Sequence, residues 1–323
     1  MLLRRQLMLA SGLLAMPAIA RAQGAFPNRP LRLVVPFAAG GGTDVLARIL
    51  ANGMTERLGQ QIVVENRTGA GGNIAMEYVV RAPADGYTLL MGTNGAVAVN
   101  RHLYKNLSFD PLKDLDPVSL AFRITHLLAV NANLPVKNVQ ELIALAKAKP
   151  GELTFGSGGT GSMIHLAGEL FKLRTGIDIV HVPYRGGGPA MNDLAAGTIS
   201  MMFDSVPSAE PQIRGGRVKA LAVCGQVRHP LLPEVPTMAE AGVANYDASS
   251  TGGIFAPKGT PPEIVARLNK AVADCVNDAG FKQQLFKAGG DAEASTPEGL
   301  MKMSVAESAV WEQVVAEAKI TAN

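Results

Sequence analysis

Between Leu31 and Pro36 the chain reads LRLVVP, apolar at every position but Arg32, and after FAAGGG a polar pair, Thr43-Asp44, opens a stretch of different rhythm. There Leu46, Ile49, Leu50 and Met54 fall on one stripe, the spacing of an amphipathic helix, so the segment predicts a strand that turns into a helix. The same alternation continues along the chain. Strands are predicted at 31–36, 62–66, 88–93, 125–130, 153–156, 178–183, 199–204 and 218–224. Helices are predicted at 44–58, 73–82, 138–148, 162–174, 188–196, 262–277, 280–287 and 297–318, the last showing Met303, Ala306, Val310 and Val314 on one face. Apolar strands alternating with helices predict an α/β architecture with largely parallel sheets.

Three of the predicted turns are rich in glycine: FAAGGGTD at 37–44, FGSGGTGS at 155–162 and YRGGGPA at 184–190. A glycine turn at a helix start brings backbone N–H groups and the positive end of the helix dipole toward an anion, so a carboxylate or phosphate suits it. An ordinary strand-to-helix turn has the same sequence, and the first turn alone leaves both readings open. Such turns lie at the carboxyl ends of strands, where open α/β sheets bind ligands. If each half of the chain carries its own sheet, two lobes face each other across a cleft.

The N-terminus narrows the setting. Arg4 and Arg5 precede the apolar run Leu7–Ile19, and Ala20-Arg21-Ala22 supplies a small-residue cleavage site before Gln23, which reads as a secretory signal peptide over 1–22. The paired arginines leave general and twin-arginine export both open. Without Arg4, Arg5 and Arg21 the 30 basic residues become 27, equal to the 27 acidic ones, so the mature surface is neutral and offers no footprint for nucleic acid. At 47% hydrophobic residues the mature chain is long enough for two cores.

Candidate chemistry is sparse. Cys224 ends a strand-like run and Cys275 falls on the apolar face of a helix, so both are predicted as buried thiols. Histidines 102, 126, 165, 181 and 229 never take metal-ligand spacing, and neither a metal nor a cofactor is predicted. Gly156, Gly158 and Gly161 spell a dinucleotide fingerprint, but the acidic residue in range, Asp178, opens the next strand instead of closing it. Asp44 reads either as a contact for a ligand amino group or as a first-turn helix carboxylate, Asp204 as pocket wall or turn former. His165 reads as packing or hydrogen-bonded in the first turn of a helix or as a ligand contact, Arg185 as a solvated loop residue or an anion contact, and Tyr184 as a ring and hydroxyl suited to a closing cleft.

Several longer stretches together resemble one family. PFAAGGGTDVLAR at 36–48, VVENRTGAGGNIA at 63–75, ADGYTLLMG at 84–92 and HLAGELFKLRTGIDIVHVPYRGGGPAMNDL at 165–194 are similar to the Bug-type extracytoplasmic solute receptors. HPLLPEVPTMAEAG at 229–242 and APKGTPPEIVARLN at 256–269 extend the likeness over nearly all of the mature chain. These receptors are the substrate-binding components of tripartite tricarboxylate transporters. The resemblance implies a monomeric two-lobed periplasmic binding fold, with one lobe of 23–124 plus 249–323 and the other of 125–248. It implies crossings near Ala121–Thr125 and Asp247–Gly253, and a small carboxylated solute handed to a membrane permease without chemistry. Dicarboxylates, acidic amino acids and aromatic carboxylates are all admitted.

Carried onto this sequence, the family's ligand contacts fall at Phe37, Ala38, Ala39 and Gly40, with Thr93 and Asn94, in the first lobe. In the second they fall at Ser157, Gly158, Thr160, Gly161 and Tyr184, while Asp44 and Asp204 stand as the further candidates named above. Two departures stand out. Ser250-Thr251-Gly252-Gly253 lacks an aromatic residue common in relatives, which predicts a larger pocket, and Thr160-Gly161-Ser162-Met163 replaces a proline-bearing helix start. Two other classes share these residues: an exported enzyme built on Ser157, Asp204 and His165, and a sensor that passes its closed state to a membrane kinase.

Overall fold

The computed structural model describes residues 26–37, 39–40, 42–184 and 186–320, so the signal peptide expected over 1–22, Ala38 and Arg185 lie outside the described residues. The first part of the chain forms β1 (Leu31–Val35), α1 (Gly42–Leu58), β2 (Ile62–Asn66), α2 (Asn73–Val80) and β3 (Thr88–Thr93). A π-helical turn at Gly95–Val99 leads into α3 (Asn100–Leu103), α4 (Pro111–Asp114) and β4 (Leu115–Ile124). Then follow β5 (His126–Asn131), α5 (Val139–Ala148), β6 (Thr154–Ser157), α6 (Met163–Thr175), β7 (Val180–Pro183), α7 (Gly187–Ala196), β8 (Met201–Ser205), α8 (Val206–Arg214) and β9 (Val218–Val223). The chain closes with β10 (Ser250–Pro257), α9 (Pro262–Asn277), α10 (Ala279–Lys287), β11 (Asp291–Ala292) and α11 (Pro297–Glu317).

Two sheets result, in the orders β11-β4-β10-β3-β1-β2 and β7-β6-β8-β5-β9. Strand β1 shows why the first is buried on both faces. Leu31, Leu33 and Val35 join Leu46, Leu50 and Met54 of α1, whereas Val34, one residue out of phase, joins Met76 and Val79 of α2. The second sheet repeats the scheme: Leu128, Val130 and Phe155 pack with α5 and α6, and Leu127, Ala129 and Met202 with α7 and α8.

The sheets are mixed, which corrects the expectation of largely parallel ones. β1 pairs β2 and β3 in parallel, as β6 does β7 and β8, but β10 runs antiparallel to β3 and β4, and β5 to β8 and β9. The cause is the crossing between sheets. β4 leaves the first sheet at Ile124, and β10 re-enters it at Ser250, which is the register partner of Ile124. Outgoing and returning chains side by side must point in opposite directions, and the same holds where β5 begins and β9 ends, with Leu127 opposite Val223.

Helix α11 belongs to both units. Leu300 packs with the first sheet, whereas Trp311, Val314 and Val315 join Leu166 and Phe171 in the core of the second. The boundary expected at residue 249 therefore leaves this helix shared between the two cores.

Cys224 and Cys275 are free, buried, and in different cores. Burial pushes the Cys275 thiol up to about 11 and that of Cys224 well above its ordinary value. Neither thiol is expected to react with an aromatic disulfide reagent at pH 8 in the folded protein, and both are expected to react in denaturant; absorbance of the released thiolate reads the difference. Among the described residues no helix is long and apolar enough to cross a membrane.

Candidate functional site

A cavity of about 410 Å³ lies where the two units meet. Phe37, Thr43 and Gly71 line it from the first, together with the Thr93–Ala96 turn, Asn100, Leu103 and Tyr104. Thr160–Ile164 line it from the second, and Ile124, His126 and Ser250 from the crossing strands. Grooves of about 500 and 780 Å³ are larger, but each is walled by the first unit alone. A site that closing lobes can bury needs walls from both, which favours the smaller cavity.

The second-lobe wall is the start of α6. Strand β6 ends at Ser157, and Gly161, at φ +80°, turns the chain into the helix. Ser162 caps it, its Oγ accepting from the His165 N–H at 3.3 Å and donating to the Gly159 carbonyl at 2.7 Å. The Gly161 N–H is held by His165 Nδ1 at 3.1 Å. The N–H groups of Met163 and Ile164 have no partner among the described residues, and both residues belong to the cavity lining. Two such donors at the positive end of a 13-residue helix are an arrangement that suits an anion.

The first-lobe wall is set by Asn94. Its Nδ2 donates to the Ser249 carbonyl at 3.0 Å, and its Oδ1 accepts from Gly95 and Thr251 at 3.0 and 3.3 Å, tying the turn after β3 to the returning strand. His126 stands between the lobes. Its Nδ1 donates to the Ala248 carbonyl at 2.8 Å, so Nε2 is an acceptor, 3.3 Å from Ser250 Oγ. Burial lowers its pKa to about 4, so the ring is neutral.

The described lining holds no Asp, Glu, Lys or Arg. Its electrostatics come from backbone donors and neutral side chains, and its bulk from Phe37, Leu103, Tyr104, Ile124, Met163 and Ile164. The lobes touch across the cavity at glycines: a Cβ built on Gly95 would lie 3.7 Å from Met163 Cγ, and one on Gly161 would lie 3.3 Å from Leu103 Cδ1.

Of the site residues expected from sequence, Phe37, Thr93, Asn94, Thr160 and Gly161 stand on this lining; Ala39, Gly40, Asp44, Ser157, Gly158, Tyr184 and Asp204 do not. The polar ones are engaged locally. Asp44, 1% exposed, accepts from Gly40 N–H, Asn66 Nδ2 and Arg48 Nε at 2.8, 2.7 and 3.0 Å. Burial opposes its ionisation, but these bonds outweigh burial and hold the carboxyl below its ordinary value. Asp44 is thus the brace of its own loop.

Tyr184 donates to Asp193 at 2.7 Å, and burial together with that carboxylate pushes its hydroxyl up to about 12. Asp204, 5% exposed, accepts from the Ser205 N–H and Ser208 Oγ at 2.8 and 2.7 Å; burial pushes its carboxyl up. Gly158 lies where two turns nearly touch, since a Cβ there would sit 3.5 Å from the backbone of Gly186 and Gly187.

The trio Ser157, Asp204 and His165 is not assembled. Ser157, fully buried, pairs its Oγ with His181 Nε2 at 2.6 Å, and the His165 and His181 rings stack with centroids 3.8 Å apart. Burial lowers these histidines to about 3 and about 4, so both are neutral. The expected enlargement at Ser250–Gly253 is corrected as well. A Cβ on Gly252 would strike the Phe122 ring at 2.2 Å and one on Gly253 would meet Leu300 at 3.1 Å, so these glycines admit core side chains, and Ser250 is the residue that faces the cavity. No group of three or more His, Cys, Asp or Glu among the described residues is placed to hold a metal.

Sequence reasoning missed Gly71, Asn100, Leu103, Tyr104, His126 and Ile164, and named Met163 and Ile124 only as parts of the helix start at 160–163 and the crossing at 121–125. Of the missed ones Gly71, inside the quoted VVENRTGAGGNIA, carried a visible signal; the others reach the cavity through the crossing and the lobe contact.

Comparison with known proteins places these features in company. A family model described as "Tripartite tricarboxylate transporter family receptor" matches residues 46–320. The chain is 38% identical to Protein BugT of Bordetella pertussis over 293 residues, 90% of each chain. An R. palustris protein solved with adipate is 42% identical, with a TM-score of 0.79 over 92% of this chain and 99% of that one. MatC from Rhodopseudomonas palustris with bound malate is 35% identical, with a TM-score of 0.76 over 90% and 100%.

Proposed function

The chain belongs to the tripartite tricarboxylate transporter receptor family, and from that premise we propose that it is a periplasmic receptor closing two lobes on a small carboxylated solute. The lobes are 23–124 plus most of 249–323, and 125–248. The solute passes unchanged to a membrane permease of the tripartite tricarboxylate type.

The observation that carries this reading is the pair of unpartnered N–H groups at the start of α6, on a lining without charged side chains among the described residues. A hydrogen bond to an ionised group contributes about 1.5–3 kcal/mol. Two or three of them, with an apolar body buried against Leu103, Ile124 and Ile164, suffice for a Kd of about 1 μM, roughly −8 kcal/mol. The described lining offers no carboxylate to an ammonium group, which favours an aliphatic or aromatic carboxylate over an acidic amino acid. The adipate held by the R. palustris relative has that character: two carboxylates on an unsubstituted chain.

A thermal-shift panel of adipate, malate, citrate, benzoate and glutamate, on protein refolded to remove carried-over ligand, tests the proposal. A ligand at about 100 times its Kd adds about 2.7 kcal/mol, a rise of several degrees. Adipate or benzoate is expected to give it, with the compound recovered intact. No shift with any carboxylate would overturn the receptor reading, and consumption of the ligand would replace it with an enzyme.

A further inference from the structure

A second cavity, of about 280 Å³, shares Asn94 with the cleft and is otherwise walled by the crossing strands and α11. Arg123 from the end of β4, Asp247 and Ser249 from the returning crossing, and Glu307 and Trp311 from α11 face into it. Two buried oxygens there have no hydrogen-bond partner among the described residues: Ser249 Oγ, on a residue 3% exposed, and Glu307 Oε2. Arg123 is the cation of the cluster, and it is already engaged. Its guanidinium holds Glu293 at 2.8 Å and lies 3.9 Å from Asp247. Three carboxylates around one arginine leave an excess of negative charge, and Glu307 is the one of the three with no salt bridge among the described residues.

We propose that Glu307 takes up a proton when a carboxylate enters the cleft, so that solute affinity is linked to pH through this second cavity. The inference rests on the receptor reading above. An anion in the cleft and an ionised Glu307 would stand on either side of Asn94, whose amide is pinned by Ser249 and Thr251 and cannot turn to screen both. At an effective dielectric of about 20, two like charges on the order of 10 Å apart couple by roughly one pKa unit, or tenfold, and an effect of that size is what the proposal expects. By reciprocity the anion tightens proton binding by the factor by which the proton tightens anion binding.

The ligand-free starting point suits such a switch. Burial, with Asp247 and Glu293 adding to it, pushes Glu307 up to about 7 against the pull of Arg123 and Asn94. Helix α11 also packs against α3, α4 and α6. On those elements Asp110 is engaged by Arg101 and Lys113, Asp114 by the Asp110 N–H, His102 by Ser308, and Glu169 by Lys172; His165 is neutral. Of the titratable groups lining the cleft, His126 ionises only near pH 4, and burial pushes the Tyr104 hydroxyl up, away from the neutral range.

Calorimetry with adipate at pH 7.5, in phosphate and in Tris, counts protons through the difference in buffer ionisation heat. Wild type is expected to take up about half a proton per adipate, and its Kd to rise about tenfold from pH 6 to pH 9. Glu307→Gln is expected to bind with no proton exchange and a flat pH profile. Adipate binding without proton uptake, or uptake that survives in Glu307→Gln, overturns the inference and leaves the receptor reading intact; failure of every carboxylate to bind removes both.

A ligand-free readout stands beside it. Glu307→Gln is expected to melt several degrees above wild type at pH 8 and close to it near pH 4, because a carboxyl whose folded pKa is raised to about 7 costs the fold stability as pH climbs from the ordinary carboxylate value to the raised one. A difference in Tm that does not change with pH shows that Glu307 does not titrate there, and overturns the inference.

Discussion

Replacing Gly95 with phenylalanine is expected to weaken carboxylate binding by about 100-fold or more while the protein stays folded. The position is where the lobes meet: a Cβ there would lie 3.7 Å from Met163 Cγ and 3.8 Å from its Sδ, ordinary contact distances. Alanine therefore fits, and Gly95→Ala is expected to bind within a few-fold of wild type. A phenyl ring must displace the Met163 side chain or hold the lobes apart, and it stands on the lining where the solute sits. If only about 1% of the molecules reach the closed state, the apparent affinity falls by the same factor. Calorimetry with the best ligand of the carboxylate panel, alongside thermal melts of both variants, measures the effect. Wild-type affinity in Gly95→Phe would show that the solute does not bind in this cavity.

The second large effect is on stability. Phe203, fully buried on β8, packs edge-on against Phe171 at 5.8 Å and stacks on Tyr246 at 6.1 Å, in the cluster that also holds Phe155 and Leu170. Tyr246 cannot swing into the space left by a truncation, because its hydroxyl donates to the Ala167 carbonyl at 2.7 Å. A cavity at Phe203 should therefore stay open, and Phe203→Ala is expected to cost about 3–5 kcal/mol. Phe203→Leu, which keeps much of the volume, is expected to cost roughly half as much or less. Urea unfolding followed by far-ultraviolet circular dichroism checks both. A loss below about 1 kcal/mol for alanine would mean that this core collapses around the gap far more freely than its rigid aromatic contacts allow.

Much of the fold was legible in the chain because helix and strand periods are local properties. The run LRLVV became β1 within a residue of its expected end, and Leu46, Leu50 and Met54 do form the buried stripe of α1. The elements that escaped have mixed local signals. β10 carries Gly252 and Gly253, which weaken any strand pattern, and they are tolerated because the Phe122 ring and Leu300 fill the space beside them. β4 contains Pro117 and Arg123, and α8 contains Pro207 and Pro211. In each case neighbours distant in sequence outvote the local preference.

The site divides along the same line. The chain by itself determined the family, the α/β character, the glycine turns and hence the start of α6, because each depends on residues close together in sequence. It did not reveal that Asp44, Tyr184 and Asp204 are engaged by Arg48, Asp193 and Ser208 off the cavity lining, since whether a polar side chain finds a partner depends on rotamers and packing. Nor did it reveal His126, Tyr104 or Leu103 on the lining, or Glu307 beside Arg123 and Asp247. These groups meet only because β4 and β10 run side by side between two sheets and α11 lies across both cores, and such long-range pairing leaves no periodic trace in the sequence.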